Sequence, residues 1–404
     1  MKTPATWLAL ATLACAESAV PPDPDEAAYP AIERFVTVLE SVRKRHPDAD
    51  LLAYDRLVNH ALEGMLASLD PHSSFIHPEM AAALDDNPEL DTTIPSLGIT
   101  FGLRDDGPYL MAVAPGSAAD NQHIATGSSL IEIDGKPATS ATFHDWLGAL
   151  HRPAGALTTL TIKSPASPKL TTHTLTHRLI EERSVTDARL WNKHTGYLRL
   201  ARFGNACAAE VEAALDELED SGMTSLVLDL RGNPGGDLAE TVRIIGLFTP
   251  PATNAVTIRT RGEGEETLTT PDRQRRKRSY PVAVLIDRDS ASASELTAGA
   301  LQDLKRATVI GETSYGKGSV QNIIPMGGGT ALRLTIATYH TPSGKTPHRN
   351  GITPDLAVEI DDLTRTNYQD VRRIDTLPPD RRKELASWTD PILQTALESL
   401  TTQP

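Results

Sequence analysis

Apolar residues recur at helical spacing in two early stretches: Ile32, Phe35, Val36, Leu39 and Val42, then Leu57, Ala61, Leu62, Met65, Leu66 and Leu69. This period predicts a helical pair or cap between about Tyr29 and Leu84. Asp70-Pro71-His72-Ser73-Ser74 then supplies turn chemistry. From Thr93 to Ser164 the pattern changes to short strands between turns: Gly98–Leu103, Tyr109–Val113, Ser129–Ile133 and Thr158–Ile162. One helix is expected over Thr142–Leu150. The stretch reads as a small β-rich module of about 70 residues, within the usual range for a domain. Pro165, Ser167 and Pro168 mark its exit.

From Val185 to Ile360 strands and helices alternate. Strands are predicted at Gly196–Leu200, Ser225–Leu230, Val282–Ile286, Thr308–Ile310 and Leu332–Tyr339. Helices are predicted at Ala208–Asp220, Asp237–Leu247 and Ser292–Leu304. Such alternation implies an α/β layer with substantial parallel pairing. The polar remainder, Asp361–Pro404, is expected to be a helical tail.

The chain has 404 residues, enough for about two or three domains. Lys plus Arg is 39 against 53 Asp plus Glu, a net charge of −14, and aromatics are only 4%. Neither favours nucleic-acid binding, which wants a basic face and stacking platforms. The basic run Arg273–Arg278, RQRRKR, reads as a solvated loop. The two cysteines, Cys15 and Cys207, exclude a disulfide framework and a Cys-based zinc site. Cys207 reads as a small buried hydrophobe. His72, His77, His173 and His177 form no closed metal set.

Residues 1–16, MKTPATWLALATLACA, place Lys2 before a short apolar run and end in the small-x-small Ala14-Cys15-Ala16. That is the form of a signal peptide, so the protein is expected to be exported to the periplasm or cell envelope. Lipid anchoring through Cys15 is the alternative, although Thr12 fits the usual aliphatic position poorly.

Three segments carry candidate chemistry, each just after a predicted strand. In Asp229-Leu230-Arg231-Gly232-Asn233-Pro234-Gly235-Gly236, glycines allow close backbone approach and N–H groups that face an oxyanion. The same residues also suit a plain strand-to-helix turn. In Asp287-Arg288-Asp289-Ser290-Ala291-Ser292-Ala293-Ser294-Glu295, a serine among small neighbours opens a helix. Ser292 is a candidate nucleophile, or simply one half of a Ser-x-x-Glu capping box with Glu295. Gly311 to Gln321 is a near miss to a phosphate-binding loop, because Gly318 stands where a magnesium-binding hydroxyl is needed. Lys317 on this Gly-flanked segment is a candidate base for Ser292, since burial lowers a lysine pKa towards neutrality. Its bland alternative is a surface ion pair.

SASASE followed, 25 positions after its middle serine, by the lysine of GKGSVQ resembles the carboxyl-terminal processing (tail-specific) proteases. Further segments carry the same resemblance: LASLDPHSSF, GSAADNQHIATGSSLIEIDG, YLRLARF, LDLRGNPGG and TPSGKTPHRNGITPD. The resemblance implies a multidomain α/β protein, with an α/β protease core, an inserted PDZ domain and an N-terminal helical cap. Its boundaries would be a signal peptide at 1–16, a helical region at 27–92, PDZ at 93–164, the core at 165–360 and a helical tail at 361–404.

By the same resemblance Ser292 is the nucleophile, Lys317 the general base and Gln321 its orienting residue. Alternation along a strand puts Lys317, Ser319 and Gln321 on one face. The oxyanion hole would use the N–H of Ala293 and of Gly235 or Gly236. Leu97-Gly98-Ile99-Thr100 would receive a substrate C-terminus, with the substrate adding as a strand. Protein or peptide substrates with accessible C-termini, an adaptor or regulatory protein and a homo-oligomer are the implied partners. Nucleic acid, metal and cofactor are not among them. The chain departs from the family pattern at Gln122-His123, Gly127-Ser128 and His151-Arg152, which puts in doubt a coupling of PDZ to the active site through an arginine at the His151 position. The alternatives are a peptide-binding scaffold without catalysis and a P-loop nucleoside triphosphatase.

Overall fold

The computed structural model describes residues 24–402 apart from 79–92, 95, 105, 115, 140–149, 151, 166, 179–182, 274, 373 and 375–376. The leader at 1–16, all but the last residue of the helix expected at Thr142–Leu150, and His151 lie outside the described residues. The chain divides into two compact units, residues 1–62 and 63–404.

In the first unit, α1 (Pro24–Arg45) leads through a single 3-10 turn to the start of α2 (Tyr54–Ala67). The Tyr54 hydroxyl donates to Glu40 at 2.6 Å, and the Arg43 guanidinium lies 3.5 Å above the Tyr54 ring. The helices form as the periodicity predicts. Their apolar stripe is not a core, because Ile32, Phe35 and Val36 remain exposed.

The second unit contains three sheets. The first is antiparallel, in the order β2 (Thr93–Ile94), β3 (Ile99–Arg104), β4 (Gly107–Val113), β5 (Ser129–Ile133), β7 (Leu157–Lys163) and β8 (Leu170–Thr176), with β6 (Lys136–Pro137) beside β5. It curls around Ile99, Phe101, Leu110, Leu130, Leu160 and Leu175, with α3 (Ala118–Asn121) covering one end. Strand β8 lies beyond the expected exit at Pro165–Pro168 and pairs with β7 along seven residues. Its LTTHTLT sequence is mostly exposed, so no apolar alternation announces it.

The second sheet runs β1 (Ser74–Ile76), β17 (Ala331–His340), β12 (Asn254–Thr260) and β13 (Gly264–Thr269), with β16 (Ser319–Pro325) also on β17. The sequence marks β17 and the strand carrying Ser319 and Gln321, but not β13, which is exposed along nearly its whole length.

The third sheet is the centre. Its order is β18 (Leu356–Ala357), β15 (Thr308–Gly311), β14 (Val282–Ile286), β11 (Ser225–Asp229), β10 (Thr195–Leu200) and β9 (Val185–Leu190). All neighbours are parallel except β9 with β10. SLVLD and VAVLI are buried throughout, as expected of parallel strands covered on both faces.

Alternation divides the side chains of this sheet. Leu226, Leu228, Val284, Ile286 and Val309 meet α4 (Cys207–Asp220), α5 (Leu238–Gly246) and α6 (Ala293–Asp303). Val227, Leu285 and Ile310 meet α9 (Pro391–Thr402), which follows α7 (Asp362–Val371) and α8 (Pro379–Leu385). Cys207 is fully buried, as its sequence reading held. The basic run is not a free solvated loop. Arg275, Arg276 and Arg278 pair with Asp216 of α4, and Arg276 and Arg278 also reach Glu219. The register of α4 gathers these carboxylates on one face, which holds the loop down.

Candidate active site

The three candidate segments leave the carboxyl ends of the adjacent strands β11, β14 and β15, where loops of open α/β sheets converge. After β11, Arg231 doubles back on Asp229, with Nε 3.0 Å from Oδ1 and Nη2 2.6 Å from Oδ2. Its remaining nitrogen reaches Asp390 at 2.8 Å, just ahead of α9. Burial pushes the Asp229 carboxyl up, yet Arg231, Arg199 and the Tyr197 hydroxyl hold it far below its ordinary range. This network anchors the loop from beneath.

Asn233, also wholly buried, organises the loop's upper part. Its Nδ2 donates to the Leu200 carbonyl at 2.8 Å, and its Oδ1 accepts the Gly235 N–H at 2.9 Å. Its carbonyl accepts from the Ala291 N–H at 3.0 Å and from the Ser294 hydroxyl at 2.9 Å. Gly235 has φ +98, and a Cβ there would stand 2.7 Å from the Ala291 oxygen and 2.8 Å from Ser292 Cβ. Only a residue without a side chain lets this loop lie against the serine. Gly236 backs onto Phe203 instead, where an added Cβ would stand 2.2 Å from the carbonyl oxygen.

After β14, Asp287 accepts the N–H groups of Gly232 and Asp289 at 2.9 and 3.0 Å. The Ser290 hydroxyl reaches the Leu230 carbonyl at 2.8 Å. The loop is thereby tied to its neighbour before Ser292 begins α6. Ser292 is partly exposed and has φ 55, ψ −115, a backbone conformation that costs about 1–3 kcal/mol for a non-glycine residue. The Ser-x-x-Glu capping box is also formed, with Glu295 Oε2 accepting the Ser292 N–H at 2.8 Å.

Glu295 is fully buried and spans the gap to the third loop. Its Oε2 also accepts the Lys317 N–H at 2.8 Å. Its Oε1 accepts the Gly316 N–H at 2.7 Å and the Ser314 hydroxyl at 2.6 Å. The backbone nitrogens of Ser292 and Lys317 therefore lie within two hydrogen-bond lengths of each other. A further bond runs from the Tyr315 N–H to the Ser290 carbonyl, 3.0 Å. Burial pushes the Glu295 carboxyl up to about 6, against the hydrogen bonds it accepts.

Lys317 is half-buried and stands just ahead of β16 rather than on it, a correction to the expected strand position. No helix follows it, so the loop lacks the helix N-terminus that a phosphate-binding loop needs. The Gln321 carboxamide nitrogen donates to Ser319 Oγ at 2.9 Å and to Thr335 Oγ1 at 3.3 Å. Ser319 and Gln321 thus share a face, as alternation requires.

The small module touches these loops at two points. The Tyr109 hydroxyl donates to Asp289 at 3.2 Å, where Arg104 also binds at 3.0 Å. The Tyr315 hydroxyl binds the Leu103 backbone. Burial and the neighbouring Asp287 push the Asp289 carboxyl up to about 6, against the pull of Arg104.

Within the module, Leu97 and Ile99 are fully buried, and Gly98 at φ +70 leaves no room for a Cβ against Ser117. The carbonyls of Leu97 and Gly98 accept the N–H groups of Ala119 and Ala114. Ile99 and Thr100 pair with Ile94 and Thr93 of β2, so a segment of this chain already borders the start of β3. Leu97 and Ile99 belong to the module's core, and Ile99 and Thr100 to its sheet.

The structure brings together the backbones of Ser292, Ala293, Gly235 and Lys317, and sets Gln321 four positions after Lys317 as the third residue of β16. Glu295, Asn233, Asp289 and Tyr315 were not singled out as site residues. The Ser-x-x-Glu spacing was the one available signal for Glu295. Nothing in the sequence pattern marks the partners of Tyr315.

Comparison with known proteins shows the family. Residues 194–358 match the family model for peptidase family S41. The carboxy-terminal-processing protease of Bartonella bacilliformis is 34% identical over 83% of this chain and 76% of its own length. The carboxy-terminal processing protease CtpB of Bacillus subtilis is 30% identical over 76% of this chain and 64% of its own. The solved photosystem II D1 C-terminal processing protease superposes with a TM-score of 0.65 at 25% identity, covering 88% of this chain and 97% of that one.

Proposed function

For a chain that belongs to the carboxy-terminal processing proteases of peptidase family S41, and is therefore a serine peptidase, we propose that Ser292 and Lys317 form the catalytic dyad. The observation that carries this reading is the convergence of both backbone N–H groups on one oxygen of Glu295. Ser292 Oγ attacks the substrate carbonyl while Lys317 Nζ, in its neutral form, takes the hydroxyl proton. The protonated lysine then returns that proton to the leaving amine. Water hydrolyses the resulting acyl-enzyme by the same route. Gln321 orients the lysine. With its Nε2 on two hydroxyls, its Oε1 is the end suited to an ammonium.

The oxyanion hole is formed by the N–H groups of Ala293, at the first turn of α6, and Gly236. The Gly235 N–H is supported less well, because Asn233 already holds it. The small module acts as a PDZ domain. It receives substrate C-termini near Leu97–Thr100 and adds the tail to β3 beyond the two positions bordered by β2. Export is supported by the sequence of the leader at 1–16, and an adaptor or second copy by the family resemblance.

Incubation with an unstructured protein tests the dyad. Ser292→Ala should yield no fragments while melting as the wild type does. Wild-type cleavage by that variant would overturn the assignment.

A further inference from the structure

We propose that Glu295 is the positioning residue of this dyad: its carboxylate holds the backbones of Ser292 and Lys317 in register, and the two fall out of alignment when that charge is neutralised. The inference rests on the Ser292–Lys317 reading above. It follows from a mismatch between donors and acceptors. Glu295 is wholly buried, and the four groups bonded to it all donate: the N–H of Ser292, Gly316 and Lys317 and the hydroxyl of Ser314. A carboxylate has lone pairs for all four.

A carboxylic acid does not. A proton on Oε2 would oppose the N–H groups of Ser292 and Lys317 together. A proton on Oε1 could turn towards Ser314 Oγ, at the expense of the Gly316 N–H. That hydroxyl already accepts the Ile352 N–H at 2.6 Å, and it would lose its own acceptor. Each arrangement leaves buried donors unpaired, which shifts the backbone that carries the nucleophile or the base.

The titratable neighbours of Glu295 on the third loop are Lys317 and Tyr315, and Tyr315 is itself influenced by Asp289 and Arg104. Burial raises the carboxyl to about 6. Glu295 therefore acts on the reaction through two backbone segments without touching substrate.

The rate of Ser292 labelling by a fluorophosphonate, followed on the full chain from pH 5 to 9, tests this. In the wild type, the labelling rate should fall more steeply with acidification below about pH 6, as Glu295 takes a proton. Glu295→Gln, checked for an unchanged melt, should label about tenfold more slowly at pH 8 and lack the added steepening at the acid end. Ser314→Ala removes a donor to the charged form, so it should move the steepening to higher pH. A folded Glu295→Gln protein with the wild-type rate or the wild-type profile would overturn the proposal. If Glu295→Gln does not fold, an unmoved break in Ser314→Ala would overturn it. Absence of labelling at Ser292 in the wild type would instead overturn the dyad reading beneath it.

Discussion

The hydroxyl of Tyr315 sits on the backbone of Leu103, donating to its carbonyl at 2.7 Å and accepting its N–H at 3.3 Å. Leu103 faces Pro108 across the β3–β4 pair, and a proline has no N–H to offer it. Tyr315 thus occupies the hydrogen-bonding positions that a peptide strand would need on the outer edge of β3. Tyr315→Phe should free them and tighten binding of a tail peptide by about fivefold, the worth of about one net hydrogen bond. Fluorescence polarisation in a Ser292→Ala background measures it. Unchanged or weaker binding would mean that tails do not add along this edge.

Asp289, bound by Tyr109 and Arg104, gives a stability signature. Its carboxyl holds its proton to about pH 6, above the ordinary value of 3.8. The folded state thus binds this proton more tightly than the unfolded chain does. The stability it contributes is fully present below the unfolded value and is lost as pH rises through about 6. Relative to Asp289→Asn, the wild type should lose up to about 3 kcal/mol between pH 4 and 7. Paired urea titrations at several pH values would show it. Parallel pH dependences in the two proteins would count against a raised pKa.

Gly235 and Gly232 make a controlled pair. Both have positive φ, +98 and +63, but a Cβ at Gly232 meets nothing within 4 Å, whereas one at Gly235 collides with the backbone around Ser292. Gly232→Ala should cost about 1–2 kcal/mol of backbone strain and leave kcat nearly intact. Gly235→Ala should lower kcat at least about a hundredfold, with a further loss of stability. Equal kcat values for the two variants would show that the loop does not set the position of the serine.

The central sheet was legible because its strands are covered on both faces, so SLVLD and VAVLI stand out as unbroken apolar runs. Ser292 and Lys317 were singled out by the small residues around the one, the glycines around the other, and the family resemblance. Strands β8 and β13 were hidden because exposed strands have no apolar face to record. Glu295 read as a helix cap, since a sequence shows one bond of a carboxylate and not the three it makes to residues about twenty positions later. The link from Tyr315 to Leu103 spans 212 positions, and its partner is a backbone group that any residue would supply.

Ser292 combines φ 55 with ψ −115, a conformation that glycine adopts freely and serine does not. Asn233, Ser290 and Glu295 do not relieve this backbone; they grip the segments on either side and keep it there. Ser292 is thus a local liability to folding, sustained by the ordinary packing of the sheet beneath it. The chain carries that cost at one residue instead of relaxing it away.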